Sequence, residues 1–218
     1  AEEKSNIMKH ALLLSAFLFT QITFAQSQQN DLAFTAKATI LPVFNNNRLG
    51  AEVGLRYYIT DAFSIGNNYI YTNDKFTHGF GYDTNNSIMH YLGINVPLQY
   101  DVVNESKFQF AMGISPGLSL NTLRDKNQLK IEEHYDEETG VTTVVKTPVR
   151  LNRDAYFSLT PNIDLSVKLA NIDPKSNTAI YVTGNAGYQF TFGKGDFTKP
   201  CDFRNYIVSL GFTIKGAL

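Results

Sequence analysis

Three groups of side chains in this sequence have the types that chemistry needs. His78, with Asp74, Asp83 and Ser87 nearby in the chain, and His90 with the distant Ser158, bring together parts of a hydrolytic site: an imidazole, a hydroxyl and, in the first set, an acid. Neither set has a diagnostic spacing, and a histidine in an Asn-rich stretch is ordinarily a solvated one. The chain is therefore read as a non-enzyme without catalytic residues. The run Glu132, Glu133, His134, Tyr135, Asp136, Glu137, Glu138 offers carboxylate oxygens and one imidazole. It lacks the Asp-x-Asp-x-Asp-Gly order of a calcium loop and the His-Glu-x-x-His of a zinc protease, so it is read as a solvated binding surface and not as a metal site. No cofactor is expected. The third group, Lys37, Glu52, Arg56, Asp164 and Lys168, is scattered along the chain and takes its meaning from the elements that carry it.

Those elements are strands. Ile180, Val182, Gly184, Ala186, Tyr188, Phe190 and Phe192 alternate with Tyr181, Thr183, Asn185, Gly187, Gln189 and Thr191. Side chains of a strand repeat with period two, so the two sets are its two faces, one greasy and one small and polar. Eight segments read this way, with greasy faces that begin at Leu32, Leu49, Phe63, Ile88, Phe108, Phe157, Ile180 and Tyr206 and contain no Asp, Glu, Lys or Arg. The five scattered charges all fall on the polar faces.

A soluble barrel also alternates, with its apolar residues inside. Here the greasy faces hold far more bulky side chains than an eight-stranded barrel can enclose. The polar faces are mostly Gly, Ser, Thr, Asn and Gln, whereas a water-facing sheet would carry many Lys and Glu. Aromatic residues gather at both ends of the greasy faces: Phe34, Tyr57, Phe63, Tyr100, Phe108 and Phe212 at one rim, Phe44, Tyr71, Phe157, Phe192 and Tyr206 at the other. These are the girdles of a membrane interface. The sequence predicts an all-β fold, an eight-stranded antiparallel transmembrane up-and-down β-barrel with a narrow wet lumen. If the first hairpin closes at Asn45 to Asn47, Lys37 and Arg56 become neighbours and need an acid, from Asp164 or Glu52, giving a salt-bridged plug.

Met8-Lys9-His10, the apolar run Ala11 to Phe19 and then Thr23-Phe24-Ala25 have the form of an export signal cleaved after Ala25. The apolar run is short of the ~20 residues of a membrane helix. Two parts follow: 1–25, an N-terminal extension with the cleavable signal, and 26–218, the barrel. Net charge is −1 with no basic stripe, which excludes nucleic acid as a partner, and the single cysteine, Cys201, excludes an internal disulfide or a zinc cluster.

Connections at one end are short (60–62, 101–107 and 170–178). At the other they are 45–48, 73–87, 121–155 and 193–205, the pattern of a barrel with its long loops outside the cell. The 121–155 loop carries strand patterns of its own at Gln128 to Tyr135 and Val141 to Val149, which predict a hairpin projecting above the membrane. Its greasy residues Ile131, Tyr135, Val141, Val144 and Val145 leave room for another chain to add a strand. Pro42, Pro97, Pro116 and Pro161 lie inside the proposed strands and must be absorbed by bulges or strand ends.

The stretch Tyr91-Leu92-Gly93-Ile94-Asn95-Val96-Pro97-Leu98-Gln99-Tyr100, followed by Lys107-Phe108-Gln109-Phe110-Ala111-Met112-Gly113-Ile114-Ser115-Pro116-Gly117, resembles the PorT-like outer-membrane β-barrel family of Gram-negative bacteria, and more broadly the OmpA- and OmpX-like small barrels. The resemblance is good over roughly a third of the mature chain. It implies the outer membrane of a Gram-negative bacterium and, through the family's best-known relatives, secretion and gliding machinery; it implies no catalytic residue. The leading functional expectation is a non-enzymatic scaffold or binding protein acting through its extracellular loops, touching outer-membrane lipid and lipopolysaccharide and a protein partner at those loops or in a secretion complex. A small-solute, porin-like channel is the runner-up, and an enzyme modifying lipid A or phospholipid is third.

Overall fold

The computed structural model describes residues 28–217 other than 45, 136–141 and 174–176; the export signal and the 136–138 part of the acidic run lie outside the described residues. The strands are β1 (Asp31–Val43), β2 (Asn46–Tyr58), β3 (Phe63–Phe76), β4 (Ser87–Asn95), β5 (Leu98–Asn104), β6 (Phe108–Tyr135), β7 (Thr142–Asp173), β8 (Thr178–Phe192) and β9 (Asn205–Ala217). All neighbours are antiparallel, and β9 returns to β1, from Asp31 opposite Ala217 to Ile40 opposite Val208, so the sheet closes on itself and has no free edge within the wall.

Nine segments make eight crossings. Val96 and Pro97 separate β4 from β5, because Pro97 has no N–H to give the ladder. The register nevertheless runs straight through: Asn95 faces Asn68 and Gly117, and Leu98 faces Ile65 and Ile114. Pro116 lies beside this break, its carbonyl accepting the Val96 N–H at 2.8 Å. The β7–β8 ladder skips Thr160 and Pro161, so three of the four strand prolines fall where pairing is already interrupted, without shifting the register.

The faces divide as lipid requires. Phe34, Phe157 and Leu210 are 51%, 48% and 63% exposed on the outside, while Thr35, Ser158, Ser209 and the charged Lys37, Glu52 and Asp164 are buried inside. A protein folded for water would lose stability with this arrangement, since each exposed greasy side chain forgoes its burial. In a bilayer it is the stable one, and the closed ladder pairs the spanning backbone within the wall except at these interruptions. No helix among the described residues is long and apolar enough to cross a membrane.

β6 and β7 have 28 and 32 residues, against the ~9 to 11 that a tilted strand needs to span a bilayer. After a register shift between Asp125 and Leu129 they continue as a pair, from Leu129 opposite Pro148 to Tyr135 opposite Thr142, well past the ring.

Candidate functional site

The lumen is organised by the first turn. Val43 pairs with Asn46, leaving only Phe44 and Asn45 between the strands, and Phe44 takes a left-handed φ of 49° to make so tight a reversal. The register that follows puts Lys37 opposite Glu52 and Arg56 opposite Ala33. Arg56 is therefore not the cross-strand neighbour of Lys37 that a later turn would have made it. Lys37 Nζ stands 3.3 Å from Glu52 Oε1 and 3.5 Å from Asp164 Oδ2, bridging adjacent and opposite walls. Glu52 also accepts from Thr39 and Asn68, at 3.1 and 3.0 Å, and from Ser209. Asp164 accepts from Gln99 and Asn185, and Arg56 donates to Gln99. Each buried charge is thus held by opposite charge or by hydrogen bonds, the condition under which burial is tolerated. The cavity among these side chains is about 40 Å³, room for little more than water.

Lys168 lies nearer the short-turn end, opposite Tyr181. Two lumen groups escaped the sequence reading. Lys215 is buried over the rings of Tyr58 and Tyr181 and donates to Gln109 at 2.7 Å, and Asp101 is buried in the middle of β5. Both were legible: Ile214 and Tyr100 point outward, so their successors must point in.

The long-loop end is closed by apolar packing. Leu41, Val43, Ile70, Met89, Tyr91 and Ile207, all on inward faces, surround Phe203, and Phe44, Phe76, Phe80 and Phe197 pack against this cluster. Phe203 belongs to a short 3₁₀ turn, Pro200–Phe203, that dips into the mouth. Its ring lies 5.8 Å from that of Phe44 and 5.7 Å from that of Tyr156. Phe44 is thus part of an inner seal and not of the outer girdle; Tyr71, Phe157, Phe192 and Tyr206 are exposed on the outside, where a girdle belongs.

Asp154 ties the sealing loop down. Its carboxylate accepts from the N–H groups of Asp196, Phe197 and Thr198 at 2.8, 3.2 and 2.9 Å and from the Thr198 hydroxyl at 2.7 Å. Burial pushes the acid's pKa up, but these donors, Asp196 and Thr198 foremost, outweigh it and hold the carboxyl below its ordinary range.

The hydrolytic combinations do not assemble. Ser87 donates to the His78 backbone carbonyl, the His78 ring packs on Phe76 and Phe80, and Asp74 is paired with Arg48 at 2.7 Å. His90 sits on the outer face against Tyr71, whereas Ser158 is buried inside. Glu132, Glu133 and Tyr135 lie on the projecting part of β6, with Lys130 bridging to Glu132 at 2.6 Å. Among the described residues no three metal-ligating side chains converge.

The same architecture recurs in solved structures. The outer membrane protein OprG from Pseudomonas aeruginosa superposes with a TM-score of 0.55 at 12% identity, covering 89% of this chain and all of its own. This is the fold of a small outer-membrane barrel. Neisserial surface protein A superposes with a TM-score of 0.50 at 10% identity, over 86% of this small barrel and 96% of its own chain. At such identities the likeness is one of fold. Compared with protein-family models and with curated proteins, the sequence matches none.

Proposed function

We propose that this protein resides in the outer membrane of a Gram-negative bacterium, exported by the signal in residues 1–25, and works as a non-enzymatic scaffold or binding protein through its extracellular hairpin. The observation that carries this reading is the continuation of β6 and β7 as a bare pair beyond the ring. It presents Ile131, Tyr135 and Val144 at 58%, 65% and 51% exposure, an arrangement suited to strand addition by a protein partner. The acidic side chains Glu132 and Glu133 flank that surface, and with His134, Asp136, Glu137 and Glu138 they make up the binding segment. The PorT-like resemblance of the β4–β6 region favours a partner in an envelope or secretion complex.

The channel reading is disfavoured by two closures in series, the Lys37–Glu52–Asp164 plug and the Phe203 seal, and the lipid-enzyme reading by the dispersal of its histidines. Purified protein in planar bilayers is expected to show no steady conductance. A photo-crosslinker at Val144 is expected to capture one defined envelope protein in cells, and the same group at Leu165 on the barrel wall is not. Steady open channels together with no adduct at Val144 would overturn the proposal.

A further inference from the structure

On the outer wall, where β4 and β6 meet the base of the hairpin, the surface encloses a groove of about 490 Å³, within the ~300–1,000 Å³ typical of small-molecule sites. Ile88, Leu92 and Leu120 form its floor and continue the greasy rows below them. Arg124, Lys126 and Arg153 stand at its upper edge.

The cations are crowded by the pairing itself. The β6–β7 register sets Arg153 opposite Thr122, skips Leu151, and then sets Arg150 opposite Arg124. Two like charges directly across a strand pair repel, so the arrangement calls for an anion. Among the described residues no carboxylate lies within ion-pairing distance of Arg124, Lys126, Arg150 or Arg153. Two of them are nonetheless held in place: Arg124 donates one terminal N–H to the Pro148 carbonyl at 3.0 Å, and Arg153 donates through Nε to the Thr122 hydroxyl at 3.2 Å. Each keeps further N–H groups that bond to no described residue.

We propose that this groove binds a phosphorylated, acylated glycolipid of the outer leaflet, lipid A, with an acyl chain along the Ile88–Leu92–Leu120 floor and a phosphate between Arg124 and Arg153. Guanidinium forks match phosphate geometry in pairs of hydrogen bonds. An acyl chain without an anion leaves the cations unmatched, and a soluble phosphate leaves the floor bare. The several cations suit a headgroup with more than one phosphate better than a phospholipid with one. The inference rests on the outer-membrane reading above.

The test is native mass spectrometry of the full chain in detergent micelles with bisphosphorylated lipid A, dephosphorylated lipid A or phosphatidylglycerol. Lipid A is expected to be retained at least tenfold more strongly than either of the others. The double variant Arg124→Glu, Arg153→Glu is expected to lose that tenfold. Lys107→Glu with Lys194→Glu, the same charge change at exposed positions away from the groove, should leave retention unchanged. Heat-modifiable electrophoretic mobility reports folding of each variant, and Arg153→Gln alone, at an exposed site, supplies a milder variant with at least a threefold loss. Equal retention of dephosphorylated lipid A or of phosphatidylglycerol, or equal loss in the two double variants, overturns the proposal while leaving the barrel in its membrane. A chain that stays monodisperse in water without detergent is a different result and removes the outer-membrane reading as well.

Discussion

Asp154 grips Thr198 twice, through the backbone N–H at 2.9 Å and the hydroxyl at 2.7 Å, across 44 positions of sequence. The pair fixes the loop that delivers Phe197 and Phe203 into the mouth, so a polar contact on the barrel wall governs an apolar seal. Replacing Asp154 with Ala leaves three loop amides without their acceptor, and each buried orphan donor costs roughly 1–3 kcal/mol. The loop is expected to open locally before the barrel melts, with trypsin cutting after Lys194 and Arg204 in the variant and sparing them in the parent.

The same carboxyl makes the seal sensitive to acid. Because its folded pKa lies below the ordinary ~3.9, its contribution is complete above the unfolded value and is lost as pH falls through the folded one. The protein has no tryptophan, so Phe197→Trp provides a single reporter. Its emission is expected to stay blue at neutral pH and to shift red only below about pH 4. In the Asp154→Asn background that acid transition should be absent.

Lys37 stands between two buried carboxylates, so removing it is worse than removing all three charges. Lys37→Met leaves Glu52 and Asp164 uncompensated and should cost about 3–5 kcal/mol. The combination Lys37→Met, Glu52→Gln, Asp164→Asn should recover most of that loss, since the three neutral side chains have no charge left to desolvate. Urea unfolding in lipid vesicles measures both, and a triple variant no more stable than Lys37→Met would contradict the plug as described.

Two glycines should respond in opposite ways. A Cβ on Gly211 would stand 2.2 Å from the Ala36 carbonyl oxygen and 2.5 Å from the Lys37 Cα, both backbone atoms of the seam between β9 and β1. Gly211→Ala must push that seam apart, at a cost of about 1–3 kcal/mol. A Cβ on Gly184 meets nothing closer than 3.9 Å, and Gly184→Ala should change stability by no more than about 0.5 kcal/mol. Folding yields into vesicles compare the two.

The sequence by itself determined which way the barrel faces. Lipid excludes charge from one side of each strand and a narrow lumen excludes bulk from most of the other, so residues as far apart as Phe34 and Leu210 declare their side by parity alone, and Lys215 would have done so had the alternation been followed one step further. Tertiary structure decided the rest. The partner of Lys37 depended on whether the first turn held two residues or more, a choice made by Phe44 accepting a left-handed backbone so that its ring could reach Phe203. The seal draws on loops far apart in the chain that share no period, and the cationic groove needs Arg124 and Arg153 brought to one height on different strands. Periodicity is a property of one segment, but meeting is a property of several, fixed only when the ring closes and each strand's register is set against its neighbours.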